Sequence, residues 1–310
     1  MIEIAIGTRK SKLAMWQTNT VAGMLEAEGM STRISSMETI GDKVLDTSIA
    51  KIGSKGVFTE ELEAQLASGE TDIAVHSAKD MQSRLPEGFE LIAFTDREKV
   101  NDVLVSDDPT INIGDSSRKL RIGTSSVRRV ALLNHFYPHV ETVEMRGNLQ
   151  TRIRKMREGD CDALMLAYAG VKRMEYEDLI VKIFSEEEFI PPVGQGCIGI
   201  EAATTLDPEK RKKIRKCLNN AESEACLLAE RAYLKQLEGG CSIPAFGLAK
   251  LDGDTLTLKV GLASLDGSKI LQKVVTGTVA EAETMGKEAG DYILDNGGRE
   301  MLAEIRRQQK

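Results

Sequence analysis

Ten cations fall within forty residues of this chain: Arg118, Lys119, Arg121, Arg128, Arg129, Arg146, Arg152, Arg154, Lys155 and Arg157, against only Glu141 and Glu144. A single-sign block of this kind is either a solvated face or the receptor for an anion. Placement favours a receptor. Arg128, Arg129 and Arg146 follow the ends of expected strands, and Thr124-Ser125-Ser126 opens a helix whose first backbone N–H groups suit an anion. Guanidinium forks take carboxylates as well as phosphates.

Two further clusters carry chemistry. In His76-Ser77-Ala78-Lys79-Asp80 a cation stands beside a carboxylate at the end of a short strand. On an open surface this is an ordinary ion pair with a helix cap; in a cleft, Asp80 can stabilise a passing cation or handle its protons while Lys79 holds an acid group. His76 has no visible partner and reads as a hydrogen-bonded packing residue. Gly239-Gly240-Cys241-Ser242-Ile243-Pro244 sets a thiol in a loop. Buried, it is a plain structural cysteine; exposed near the basic cleft, it can ionise and attack an electrophilic carbon.

Other chemistries find little support. The five cysteines are never closer than nine residues, and Pro138 separates His135 from His139, so neither a disulfide nor a protein-built metal site is expected. Gly194-Gln195-Gly196-Cys197-Ile198-Gly199 fits a dinucleotide fingerprint in letters only, because Pro191-Pro192 precedes it and strand-like residues follow. A net charge of −7, aromatics at 4% and no recognisable binding module argue against nucleic acid. The longest apolar stretch, Ala163 to Val171, is about half of the ~20 residues a membrane-spanning helix needs, so no membrane partner is expected. Arg9, Lys10 and Lys12 come after the first apolar residues, the reverse of a secretory signal, and a cytoplasmic location is expected.

The elements that must position these residues alternate between period two and period 3.6. Strands are expected at Ile2–Ile6, Thr32–Glu38, Asp72–Val75, Arg121–Thr124, Val140–Glu144, Ala163–Ala167 and Ile198–Glu201. Helices are expected at Ser11–Glu28, Phe58–Ala67, Val127–Phe136 and Leu149–Glu158. That order gives α/β architecture with largely parallel strands. Ile6-Gly7-Thr8 recurs as Ile122-Gly123-Thr124, hinting at two similar halves. Asp96 to Asn101 and Ile190 to Gly196 read as two crossings between those halves, and hence as a hinge. Thr255–Ala263 and Ile270–Thr276 alternate as antiparallel strands and Glu281–Leu294 is helical, a small α+β third unit. Gly41 to Gly56 reads as a loop able to cover the cleft.

Taken together, these segments resemble the porphobilinogen deaminase (hydroxymethylbilane synthase) family over nearly the whole chain. Ile6 to Ala14, Lys55 to Thr59 and Asp72 to Asp80 are similar to the family's first-domain segments. Arg121 to Arg129, Arg146-Gly147-Asn148, Leu166 to Gly170 with Arg173, and Val193 to Glu201 are similar to its second domain and return crossing. Glu230 to Pro244 is similar to its cofactor-attachment region. Ala78, Gln82, Cys197 and Phe246 depart from the usual pattern, and none removes a charged or nucleophilic group.

The resemblance implies two periplasmic-binding-protein-like (type II) α/β domains joined by a hinge, with a small α+β C-terminal domain. Their expected bounds are residues 1–96 with 197–216, residues 101–190, and residues 219–310. It implies a cytoplasmic, monomeric transferase of tetrapyrrole biosynthesis that joins four porphobilinogen molecules head to tail into hydroxymethylbilane and releases ammonia each time. It further implies a dipyrromethane primer bound through a thioether to Cys241. Asp80, Lys79 and Arg9 fall at the reacting centre by this match. Lys79, Asp80, Thr124, Ser125, Ser126, Arg128, Arg129 and Arg146 face the primer, and Arg9, Ser11, Phe58, Arg152, Arg173 and Gln195 the incoming substrate. The rivals are a non-catalytic polycarboxylate-binding protein of two lobes and a phosphoribosyl-type transferase, the latter without any acidic metal-phosphate motif.

Overall fold

A computed structural model describes residues 2–39, 59–240 and 242–309. Phe58, Cys241 and the Gly41 to Gly56 segment lie outside the described residues.

In chain order, the first lobe contributes β1 (Glu3–Arg9), α1 (Lys12–Ala27), β2 (Ser31–Met37), α2 (Glu60–Ser68), β3 (Ile73–Ser77) and β4 (Phe89–Phe94). The second contributes β5 (Asp102–Val105), β6 (Arg121–Gly123), α3 (Val127–Phe136), β7 (Glu141–Val143), α4 (Leu149–Arg157), β8 (Ala163–Ala167), α5 (Tyr168–Arg173) and β9 (Ile180–Ile183). The chain then returns to the first lobe as β10 (Ile198–Ala203) and α6 (Pro208–Leu218). A last unit comprises α7 (Ala221–Gln236), β11 (Ala245–Asp252), β12 (Thr255–Ala263), β13 (Ile270–Thr278), α8 (Ala282–Ile293) and α9 (Arg299–Gln308).

The first sheet has the order β2-β1-β3-β10-β4 and the second β7-β6-β8-β5-β9, so β1 and β6 hold equivalent places, each flanked by parallel neighbours. The short repeat therefore marks corresponding strands of two like sheets. Neither sheet is wholly parallel: β10 runs antiparallel to β3 and β4, and β5 to β8 and β9. The reason lies in the connections. Each reversed strand is the one that enters directly from the other lobe, so it begins at the edge where β3 and β8 end; Ile198 lies opposite Ser77 and Asp102 opposite Ala167. Both crossings thus run over one floor, at the carboxyl ends of the parallel strands, where open α/β sheets bind ligands. They bond to each other, Glu98 N donating to Gly196 O (3.3 Å) and Arg97 Nε to Gln195 O (3.0 Å).

The third unit is a meander of β11-β12-β13 with helices on one face. Its core includes Ala78, Phe94, Val193 and Cys197 from the first lobe and the crossing, while Phe246, Leu248 and Ala263 pack with Leu104, Phe184 and Phe189 of the second. Phe246 fits because its cross-strand partner is Gly261, where a Cβ would lie 2.2 Å from the Phe246 ring. In sequence, the thiol loop follows α7 of this unit.

Candidate functional site

The floor of the cleft is built on a carboxylate that lies outside the basic block. Asp102, at the start of β5, is fully buried. Its Oδ2 accepts from Arg128 Nη2 at 2.5 Å; its Oδ1 accepts from Arg129 Nη2 (2.7 Å), Arg129 Nε (3.2 Å) and Gln195 Nε2 (3.1 Å). Burial pushes the Asp102 carboxyl upward, but Arg128 and then Arg129 outweigh it and hold the group well below the usual carboxylate range. The two arginines are placed by α3, whose first turn is capped by Ser126 Oγ on Arg129 N. Carbonyls complete their shells: Arg128 Nη1 donates to Ile190 O and Arg129 Nη1 to Met165 O, each at 2.9 Å. The predicted pair is therefore present, buried, and fixed by one shared counterion.

From the first lobe, Lys79 reaches the same network. Its Nζ donates to Gln195 Oε1 (3.3 Å), whose amide also donates to Val100 O (2.7 Å). Burial lowers the Lys79 ammonium to about 8; Asp80 opposes that shift, Arg129 and Arg128 add to it, and Asp102 resists it. Lys79 and Asp80 occupy a 3₁₀ turn, Ala78–Asp80, directly after β3. The return crossing supports this turn so closely that a Cβ on Gly194, which has φ +78°, would sit 2.9 Å from the Ala78 carbonyl carbon. The exposed Asp80 carboxylate makes no hydrogen bond or ion pair among the described residues.

Arg152, on α4, faces the turn from the second lobe. Burial draws its guanidinium down to about 10, with Arg129 and Arg146 adding to the shift and Asp80 opposing it, so all four groups share one field. Its Nε is held by Gly147 O (2.8 Å). Arg146 lies 3.8 Å from Glu144. Ser125 Oγ donates to Met145 O (2.7 Å) and accepts from Met145 N (3.1 Å), a clip between the α3 and α4 entry loops; Thr124 Oγ1 accepts from Ser126 N. Arg173 ends α5 and donates to Gly196 O at 2.7 Å. Leu13, Ser77, Lys79, Gly170, Arg173, Gln195 and Gly196 line one small pocket between the lobes. Arg9 ends β1 and Ser11 caps α1 through Ala14 N (3.3 Å).

The basic block divides. Arg128, Arg129, Arg146 and Arg152 belong to the cleft, whereas Arg118, Arg154 and Arg157 pair with Asp108, Glu158 and Asp107 at exposed positions. His76 is a buried packing residue as expected, its Nε2 lying 3.0 Å from Glu201 Oε2. A second hub is Glu230 of α7, to which the sequence alone assigns no individual role. Fully buried, it takes Arg97 with both oxygens (2.5 and 3.2 Å) and also accepts from Gly194 N (2.9 Å) and Ala249 N (2.8 Å). One carboxylate thereby ties both crossings to the third unit that carries the thiol loop.

Comparison with known proteins shows the family. The family description "Porphobilinogen deaminase, dipyrromethane cofactor binding domain" matches residues 4–212, and "Porphobilinogen deaminase, C-terminal domain" matches residues 224–295. A porphobilinogen deaminase of Desulfosudis oleivorans is 61% identical over 308 residues, covering 99% of each chain. One from Cytophaga hutchinsonii is 55% identical over 304 residues, covering 98% of this chain and 97% of its own. The chain belongs to the porphobilinogen deaminase family. Among solved structures, the second substrate-binding domain of a putative amino acid ABC transporter from Streptococcus pneumoniae superposes with TM-score 0.44 at 11% identity, covering 70% of this chain and 91% of that one.

The residues present fit the dipyrromethane of this family. The Nε of Arg128 is buried without a hydrogen-bond partner, a donor left over after Asp102 and Ile190 O are served. Buried polar groups are rarely left so, and a carboxylate on a primer is an acceptor of the needed kind. No helix among the described residues is long and apolar enough to cross a membrane.

Proposed function

We propose that this chain polymerises four porphobilinogen molecules head to tail into hydroxymethylbilane on a dipyrromethane primer attached to Cys241 by a thioether. The convergence of Lys79, Arg128 and Arg129 on Asp102 and Gln195, beside an Asp80 carboxylate with no hydrogen-bond or ion-pair partner among the described residues, is the observation that carries this reading. When bound, the primer supplies a nucleophilic pyrrole carbon for chain growth.

The protein's residues would then divide the work. Arg128, with its spare Nε, together with Arg129, Lys79, Ser125, Ser126 and Arg146 would hold the primer's acids at the floor. Arg9, Ser11, Arg152 and Arg173 would hold those of the incoming pyrrole, a set to which the family match adds Phe58; Gln195, matched to the same side, has both amide N–H groups engaged by Val100 O and Asp102 Oδ1 and would act by linking Lys79 to the floor. Loss of ammonia from that pyrrole leaves an electron-poor methylene. The Asp80 carboxylate, not committed to any described partner, would offset its positive charge and take a proton when aromaticity is restored.

The bounds expected for the three domains, a cytoplasmic setting and a monomer are part of the same proposal. A non-catalytic polycarboxylate receptor is not favoured, because such a protein has no use for an unpaired carboxylate amid bound acids. Incubating the purified protein with porphobilinogen tests the reading: ammonia release with accumulation of a linear tetrapyrrole supports it. Tight binding of substrate without ammonia release would overturn it.

A further inference from the structure

Helix α1 of the first lobe and helix α5 of the second meet across the mouth of the cleft. Leu13 packs over Gly170, where an added Cβ would lie 3.9 Å from Leu13 Cδ2. One turn further along each helix stand Trp16 and Arg173, and the Arg173 guanidinium carbon lies 5.5 Å from the Trp16 ring centroid. Residues three apart share a helix face, so the second contact follows from the first. Trp16 contributes little to the core of its lobe: α1 buries Gln17, Thr18, Val21, Ala22 and Leu25, and Trp16 remains 39% exposed.

Arg173 is held without a direct carboxylate contact. Its Nη2 donates to Gly196 O, and Glu98, the acid whose charge acts on it, makes its ion pair with Lys172 instead. An aromatic face attracts a guanidinium through its quadrupole while leaving the planar N–H edge unused. A glutamate or aspartate at the same place would occupy that edge. The same helix turn is fixed to the reacting end of β3, since Gln17 Nε2 donates to Ser77 Oγ at 3.0 Å, two residues before Lys79.

We propose that Trp16 is a positioning residue: its ring fixes Arg173 across the cleft mouth and presents the free guanidinium edge to a carboxylate of the incoming pyrrole. This rests on the substrate-side role proposed for Arg173. Trp16 is the single tryptophan of the chain, so its emission reports the contact directly.

The test compares wild type, Trp16→Leu, Trp16→Phe and Arg173→Ala, all carrying the primer by intact mass, with porphobilinogen as the probe. Trp16→Leu is expected to raise KM about three- to fivefold, in keeping with a partly exposed cation–π contact, while kcat is kept. Trp16→Phe, which retains a ring face, should recover part of that loss. In an Arg173→Ala background Trp16→Leu should add nothing, and substrate should shift the wild-type emission. An unchanged KM in Trp16→Leu beside a raised KM in Arg173→Ala would overturn the role of Trp16 alone. An unchanged KM in Arg173→Ala would overturn the substrate-side reading of Arg173, and the proposal with it. A fall in kcat, or loss of primer, in Trp16→Leu would likewise overturn it.

Discussion

Asp102→Asn removes one charge and almost no volume from the centre of the cleft floor. The carboxylate accepts from three donor groups on Oδ1 and Oδ2 belonging to two arginines, and from the Gln195 amide as well. An asparagine offers one acceptor oxygen and one donor NH₂, so whichever way it turns, a guanidinium N–H or several of them face another donor. Arg128 and Arg129, 3% and 6% exposed, would also lose their counterion. Stripping one partner from a buried ion pair costs about 3–5 kcal/mol. We expect equilibrium urea unfolding to show a loss of that size at neutral pH, together with impaired primer loading read by intact mass. The sign with pH follows from the depressed Asp102 carboxyl. Its contribution is complete above the unfolded value of about 3.9 and is lost only as pH falls through the lower folded value, so the wild-type advantage should persist throughout mildly acid solution. A variant that unfolds within about 1 kcal/mol of wild type and loads fully would refute the idea that these arginines need a shared counterion, since surface pairs alone are worth so little.

Asp80→Ala should fold and keep its primer while turnover falls by about 10²–10³, the range for loss of one preorganised electrostatic group; steady-state ammonia release checks it, and near-wild-type kcat contradicts the role. Lys79 is a cation below about 8 and neutral above, so primer loading of the apo protein should decline as pH rises through 8. Lys79→Arg, which stays charged, should move that decline upward; an unshifted profile in the variant would detach it from Lys79.

Much of the scaffold was legible because periodicity and caps agreed. Helix α3 spans Val127–Phe136 as its Ser126 cap and apolar spacing predict, and Ala163–Ala167 and Thr255–Ala263 stand as expected. Strands β4, β5, β9 and β11 escaped notice. Asp102–Val105 is only four residues long, begins with an acid, and owes its extended form to the neighbours β8 and β9 rather than to any pattern of its own. That same acid is the functional residue most plainly missed. A signal existed: an aspartate leading straight into Val103-Leu104-Val105 must be paired if the run is buried on both faces. Glu230 is similar, a carboxylate inside a helix whose neighbours Cys226, Leu227 and Tyr233 are buried. Within the positive block, charge density alone does not separate Arg128, Arg129, Arg146 and Arg152 from Arg118, Arg154 and Arg157, which turn outward to acids. Sequence counts charges; only the fold decides which of them share a cavity.

A covalent acidic primer held where the two lobes' cations meet would show in the intact mass of the denatured protein, followed by peptide mapping. We expect an increment matching a dipyrrole, confined to the peptide that contains Cys241 and absent from Cys241→Ser. An unmodified wild-type chain with full activity, or an increment carried by another cysteine, would contradict it.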